Sequence, residues 1–373
     1  MIVDKPLITF IFGTRPEAIK LAPLIQIFRK NNIFNIRIVT TGQHRELLID
    51  VLEIFKINPD NNLNLMLEKQ SLSNLTVSIL KGLEIEFENF LPKLVIVQGD
   101  TTTAYAAGMA AFYKKIKIGH VEAGLRTGNL YSPFPEEANR RLISQITDLH
   151  FAPTKNAEKN LLDIKISGKV FMTGNTVIDA LLSIANRNDL KISSNNNWID
   201  KKFILVTVHR RENWGENIKN ICKALKLITD DFPEINFVIP MHPNKIVRNI
   251  IINELKSNNQ FYLIEPLKYS ELIYAMKKCF LVLTDSGGIQ EEAPTLGKPV
   301  LVLRNNTERT EGIDNGTAKL VGTEIKNVYK WVTELLLNQS IYQSMSEANN
   351  PYGDGKASQR ILDICTNEIL NEC

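Results

Sequence analysis

Short runs rich in β-branched and aromatic residues alternate along this chain with longer amphipathic stretches, and few architectures satisfy that pattern. Apolar runs of this length, bounded by turn residues, read as buried strands. When a helix separates consecutive strands, the connection crosses over, so the strands run parallel with helices on both faces of the sheet. The runs form two series. The first is Leu7–Phe12, Ile36–Thr40, Leu94–Val97, Ile116–Gly119, Leu149–Ala152 and Val170–Met172. The second is Phe203–Val208, Ile235–Pro240, Phe261–Ile264, Phe280–Leu283 and Pro299–Leu303. Helices read between them, for example over Glu17–Arg29, His44–Phe55, Ser73–Phe90 and Asn217–Thr229. A chain of 373 residues has room for two such α/β domains. The polar segment Ile192–Lys202 reads as a connector or as a surface loop of the second domain. The turn at Thr173 to Thr176 puts the hinge near Gly174, giving domains over 1–173 and 174–355.

Composition narrows the class. Hydrophobic residues are 44% and charged residues 23%, as in an ordinary globular protein. A net charge of +3, with acids and bases interleaved, argues against nucleic-acid or membrane partners recruited by bulk charge. Cys222, Cys279, Cys365 and Cys373 are scattered without metal-site spacing, which fits a reduced, cytoplasmic chain. The opening apolar run is too short and wrongly flanked for a secretion signal, and no run of about 18 apolar residues exists to span a membrane.

In open parallel sheets, ligands sit beyond the carboxyl ends of the strands. After the first strand, Thr14 and Glu17 have capping-box spacing, with Pro16 entering the helix. A helix N-terminus beside Arg15 and Lys20 suits an anion such as phosphate. The same residues equally describe a well-capped helix with surface cations. Asp100 ends the third strand and could be a catalytic acid or merely an N-cap. Glu122 lies at the inner end of a strand, where an unpaired carboxylate is costly, so it is either functional or bridged to Arg126. Glu136 and Glu137 follow a Pro-stiffened loop and also suit a helix dipole. In the second series, His209, Arg210 and Arg211 cluster at a strand end as an anion site would, and His242 follows the next strand. His150 reads as structural. Then Ser286, Gly287 and Gly288 lead from a strand into a helix. The glycines allow close backbone approach, the helix N-terminus suits a diphosphate, and Glu292 is placed for a ribose diol. There is no G-x-G-x-x-G after a strand, no Walker A motif, no H-E-x-x-H and no metal-ligand cluster, so neither a dinucleotide cofactor nor a metal is expected.

Together these segments resemble the non-hydrolysing UDP-N-acetylglucosamine 2-epimerases. The matching runs, in order, are Phe12–Lys20, Gln43–Arg45, Gly99–Thr103, Gly119–Arg126, Ser132–Glu137, Gly174–Asp179, His209–Asn213, Thr284–Gly297 and Asn350–Gly355. Each is modestly specific, and the set spans nearly the whole chain. The resemblance implies two Rossmann-like domains facing across a cleft, as in GT-B glycosyltransferases, with a C-terminal helix over 356–373 returning to the first. It implies a cytoplasmic homodimer that equilibrates UDP-N-acetylglucosamine with UDP-N-acetylmannosamine for envelope polysaccharide. In that chemistry the C1–O bond breaks as the C2 proton leaves, giving UDP and an enzyme-bound 2-acetamidoglucal. A proton then returns to the opposite face and UDP re-adds, with no NAD or metal. Carried over, Asp100, Glu122, Glu136 and His209 are the catalytic group. Arg15, Lys20, Arg210, Ser286, Gly287, Gly288 and Glu292 bind the UDP-sugar. Gln43, His44 and His242 match a regulatory second UDP-N-acetylglucosamine site. Glu46 and Lys69 depart from the Gln and Arg of activated bacterial members, and Thr310 replaces a Pro. A 2-epimerase of a modified sugar, such as UDP-2,3-diacetamido-2,3-dideoxyglucuronic acid, and a GT-B glycosyltransferase are the alternatives.

Overall fold

The strand-forming runs share one trait that settles their place: apolar on both sides, they must be covered on both faces. The computed structural model describes residues 5–42, 45–65, 70–192 and 196–371. It divides into two compact units, Met1–Leu182 with Tyr352–Cys373, and Ser183–Pro351.

The first unit holds strands β1 (Leu7–Phe12), β2 (Asn35–Thr40), β3 (Asn61–Asn62), β4 (Leu94–Gln98), β5 (Lys117–Val121), β6 (Leu149–Ala152) and β7 (Lys169–Met172). They form one parallel sheet in the order β3-β2-β1-β4-β5-β6-β7. The chain moves outward from β1 to β3, then restarts beside β1 at β4. That reversal is the topological switch point, and the loops after β1 and β4 flank it. Phe10, Phe12, Ile96 and Val97 of these central strands are fully buried. The C-terminal helix Ala357–Leu370 belongs to this unit and packs on the helix Arg15–Asn31. Its start is pinned by Asp179, whose carboxylate accepts the backbone N–H of Ser358 at 2.8 Å.

The second unit holds β8 (Phe203–Thr207), β9 (Asn236–Pro240), β10 (Phe261–Ile264), β11 (Val282–Thr284), β12 (Val300–Val302) and β13 (Ala318–Leu320). Their order is β10-β9-β8-β11-β12-β13, again all parallel. Its switch point lies between β8 and β11. Helices cover both faces of each sheet, as the alternating pattern requires. The polar segment that reads as connector or loop falls inside this unit, where Trp198 is buried edge-on against Phe203 with ring centroids 5.2 Å apart.

Strand ends differ from expectation by a residue or two where local bonds intervene. Ile116 looks like the start of β5, but its N–H closes the preceding helix onto the Ala111 carbonyl at 2.9 Å, so the strand begins at Lys117. β3 and β13 go unread because two asparagines and a three-residue run carry almost no periodicity. His44, read as the first residue of the helix Arg45–Phe55, lies outside the described residues, as do Gln43 and Lys69.

Candidate functional site

At the first unit's switch point, one buried carboxylate joins the two central loops. The helix Arg15–Asn31 starts as its capping residues predict, with Thr14 extended and Pro16 in its first turn. Glu17 turns back so that its Oε2 accepts the backbone N–H of Gly13 at 3.1 Å and of Thr14 at 2.7 Å. Its Oε1 accepts the Thr101 hydroxyl, from the loop after β4, at 2.8 Å. Glu17 is wholly buried, and that burial pushes its pKa from 4.5 to about 7 despite the hydrogen bonds, which pull the other way. The two amides that could have met a phosphate are therefore engaged within the protein. Arg15, half-buried, makes no ion pair among the described residues.

Around this tie sit the acids singled out by position. Glu122 has φ +63, a backbone conformation that a glutamate rarely adopts. Both its oxygens lie 2.6 Å from Nζ of Lys20, and the Gln98 amide also donates to it. Its partner is thus Lys20 on the first helix, and not Arg126. Arg126 instead bonds the Leu125 carbonyl and Ser144 Oγ. Asp100 is not an N-cap. Thr101 caps the helix Thr102–Tyr113 by accepting the Ala104 N–H at 3.0 Å. The Asp100 carboxylate is free of that duty and pairs with Arg140, while its carbonyl accepts from Asn139 at 2.9 Å. Arg140 is in turn braced by the fully buried Glu137 at 3.1 Å. Glu137 also takes Arg141 and the Thr127 N–H, so its work is structural. Glu136, its neighbour, has a buried Oε2 with no hydrogen-bond partner. Buried acceptors are almost always satisfied, so such an oxygen is marked for a ligand or solvent. His120 donates from Nε2 to the Gly99 carbonyl at 2.6 Å, and burial holds its pKa down at about 4. His150 beside it is likewise held neutral by burial, with its pKa at about 3.

The second unit repeats the device. Asp285, at the end of β11, is fully buried and accepts the backbone N–H groups of His209 and Arg210 from the loop after β8. Nδ1 of His209 lies 3.3 Å from its Oδ1. The His209 ring stacks on that of His242, with centroids 5.5 Å apart and planes within 11°. Arg210 lies 3.6 Å from Glu308. Burial alone would raise the pKa of Glu308, but the guanidinium groups of Arg309 and Arg304 outweigh it and hold the carboxyl at about 2. Ser286 N-caps the helix Gly287–Thr295 with no side-chain cap bond of its own. A Cβ at Gly287 would come within 2.8 Å of the Arg309 guanidinium and would push it aside; a Cβ at Gly288 would meet nothing nearer than 4.0 Å. Glu292 is buried and accepts the Tyr269 hydroxyl at 2.7 Å. Arg309 bonds Glu291 at 3.0 Å and also pairs with Glu308. Thr310 occupies the first residue of the helix Thr310–Asp314, the position where Pro is favoured.

Arg140, Asp285 and Arg309 emerge from the structure rather than from spacing, as does the bond of Glu17 to Thr101, because each reaches residues far away in sequence. Among the described residues, no group of three or more His, Cys, Asp or Glu side chains could hold a metal ion. No helix among them is long and apolar enough to cross a membrane.

Two doubly wound parallel units, each with charged side chains gathered at its switch point, define an α/β protein of the GT-B kind. The chain belongs to the UDP-N-acetylglucosamine 2-epimerase family, whose model matches residues 26–366. A UDP-N-acetylglucosamine 2-epimerase of Campylobacter jejuni is 47% identical over 382 residues, covering 98% of each chain. The solved epimerase of Neisseria meningitidis, bound to UDP-GlcNAc, is 47% identical with a TM-score of 0.89, covering 97% of this chain and all of that one. The S. aureus protein MnaA, solved with UDP, is 48% identical with a TM-score of 0.90, covering 98% of this chain and 97% of that one.

Proposed function

We propose that this chain interconverts UDP-N-acetylglucosamine and UDP-N-acetylmannosamine by losing and regaining UDP through a 2-acetamidoglucal. The observation that carries the reading is the trio Asp100, Glu122 and Glu136 in one unit. Elimination and re-addition across C1–C2, with the C2 proton lost from one face and returned to the other, need acid/base groups on both faces of the ring. Asp100 and Glu122 are each set against a cation, Arg140 and Lys20, while Glu136 keeps an oxygen unengaged. The departing diphosphate gains from cations and from a helix N-terminus. Arg15, Lys20, His209 and Arg210 supply the cationic or hydrogen-bonding groups, and Ser286, Gly287 and Gly288 the helix start. Glu292 then takes the ribose. The resemblance matches Gln43, His44 and His242 to a second, regulatory UDP-N-acetylglucosamine site, and of these His242 lies among the described residues. The acid/base chemistry falls to the first unit and UDP binding to the second.

The protein acts as a cytoplasmic homodimer on this reading. Val77 and Ile85 of the helix Leu72–Asn89, Phe112 of the helix Thr102–Tyr113 and Leu142 of the helix Glu136–Ser144 are exposed on three successively packed helices. An apolar face of that kind fits a second copy. The test is proton NMR of UDP-N-acetylglucosamine incubated with the purified chain. The reading expects an equilibrium with intact UDP-N-acetylmannosamine. Free N-acetylmannosamine, turnover only of the diacetamido glucuronic acid, or sugar transfer to an acceptor would each replace it.

A further inference from the structure

Asp285 draws together three strand ends of the second unit. It follows β11, takes the His209 N–H at 3.0 Å and the Arg210 N–H at 2.9 Å from the loop after β8, and accepts from Asn213 Nδ2 at 2.9 Å. Asn213 also donates to the Leu303 carbonyl at the end of β12, at 3.0 Å. These bonds fix the backbone of His209 and place its ring so that Nδ1 lies 3.3 Å from Oδ1. Facing a carboxylate oxygen, a bare Nδ1 would set lone pair against lone pair, whereas Nδ1–H is attracted to it. The stacked His242 offers no competing bond at its own Nδ1, which accepts the Asn244 N–H at 3.1 Å.

We propose that Asp285 is the positioning residue of His209, holding its imidazole in the Nδ1–H form so that Nε2 alone is presented to the ligand. For its consequence in catalysis this rests on the epimerase reading; the tautomer itself stands on the geometry. The charged and titratable groups facing the ring are Asp285, His242 and Arg210. Burial, then His242 and Arg210, lower the pKa of His209, and Asp285 opposes them without prevailing. Near neutral pH the ring is therefore uncharged, the state in which the choice of tautomer matters. A neutral histidine whose orienting carboxylate is lost presents the wrong nitrogen part of the time.

The experiment is nitrogen-15 NMR of the full chain labelled at its five histidines, with His209 assigned by its loss in His209→Gln. The wild type should show a protonated Nδ1 and a bare Nε2. Asp285→Asn should mix the two forms and move the His209 titration to lower pH. The kcat should fall at least about 10- to 100-fold, the loss typical when the carboxylate orienting a metal-ligating imidazole is removed, while KM changes less. A bare Nδ1 in the wild type overturns the proposal, whatever the variant does or whether it folds. So does an Asp285→Asn protein with unchanged tautomer and unchanged pH profile. A protonated Nδ1 in a wild type that turns over no UDP-N-acetylglucosamine upholds the positioning and removes the epimerase. A bare Nδ1 in an active wild type does the reverse.

Discussion

Replacing Glu17 with glutamine separates the charge of the buried tie from its hydrogen bonds. In the folded protein, burial raises the Glu17 pKa from 4.5 to about 7. A raised carboxyl pKa means that the folded state binds the proton more tightly than the unfolded one. The associated stability is fully present below pH 4.5 and is lost as pH rises through about 7. At about 1.4 kcal/mol per pH unit of that gap, the loss approaches about 3 kcal/mol. Glutamine cannot ionise, yet its carbonyl can accept from Gly13 and Thr14 and its amide can face the Thr101 hydroxyl. Its own cost should stay near 1 kcal/mol or less at low pH. The stability difference between variant and wild type should therefore swing by about 3 kcal/mol in favour of the variant between pH 4.5 and 8. For a unit of this size, that corresponds to roughly 6–12 °C in the melting temperature. Melting both proteins across this range reads the swing directly, because the other titrating groups are common to both. A difference that does not change with pH, or that turns against glutamine at pH 8, refutes the reasoning.

Three further outcomes are expected. Asp100→Asn and Glu122→Gln should each lower turnover by about 10²- to 10⁴-fold while UDP binding, measured by calorimetry, changes little; Glu122→Gln should also lower the melting temperature, because it removes the carboxylate charge that pairs with buried Lys20. Gly124→Ala should destabilise by at least about 2 kcal/mol, since a Cβ there would sit 2.2 Å from the Ala157 carbonyl oxygen, whereas Gly128→Ala, with similarly positive φ and nothing within 4 Å, should cost about half as much. Phe112→Glu should convert a sedimenting dimer to monomer, and an unchanged dimer would remove that helix face from the interface.

The architecture was legible because parallel strands covered on both faces leave an unmistakable apolar signature, and because capping residues announce helix starts. Leu7–Phe12 and Phe261–Ile264 are read to the residue. The two-residue β3 is unreadable, since a strand that short is made by its neighbour and not by its own side chains. Within the site, the positions of Asp100, Glu122 and Glu136 at strand and helix ends were readable, but their partners were not. Spacing offers Arg126 to Glu122 because it lies four residues away. The fold instead brings Lys20 from 102 residues away. Asp100 reads as a cap until Thr101, one residue on, is seen to do that work. Asp285 stands directly before Ser286 in sequence, yet its role depends on β8 lying beside β11, a pairing that only the folded sheet supplies.

The most direct test of the central claim is to run the reaction to equilibrium in D2O and examine C2 of both sugars. Elimination and re-addition exchange that proton with solvent, so deuterium should appear at C2 in UDP-N-acetylmannosamine and in recovered UDP-N-acetylglucosamine. An epimerised product that keeps its original hydrogen at C2 would contradict the account.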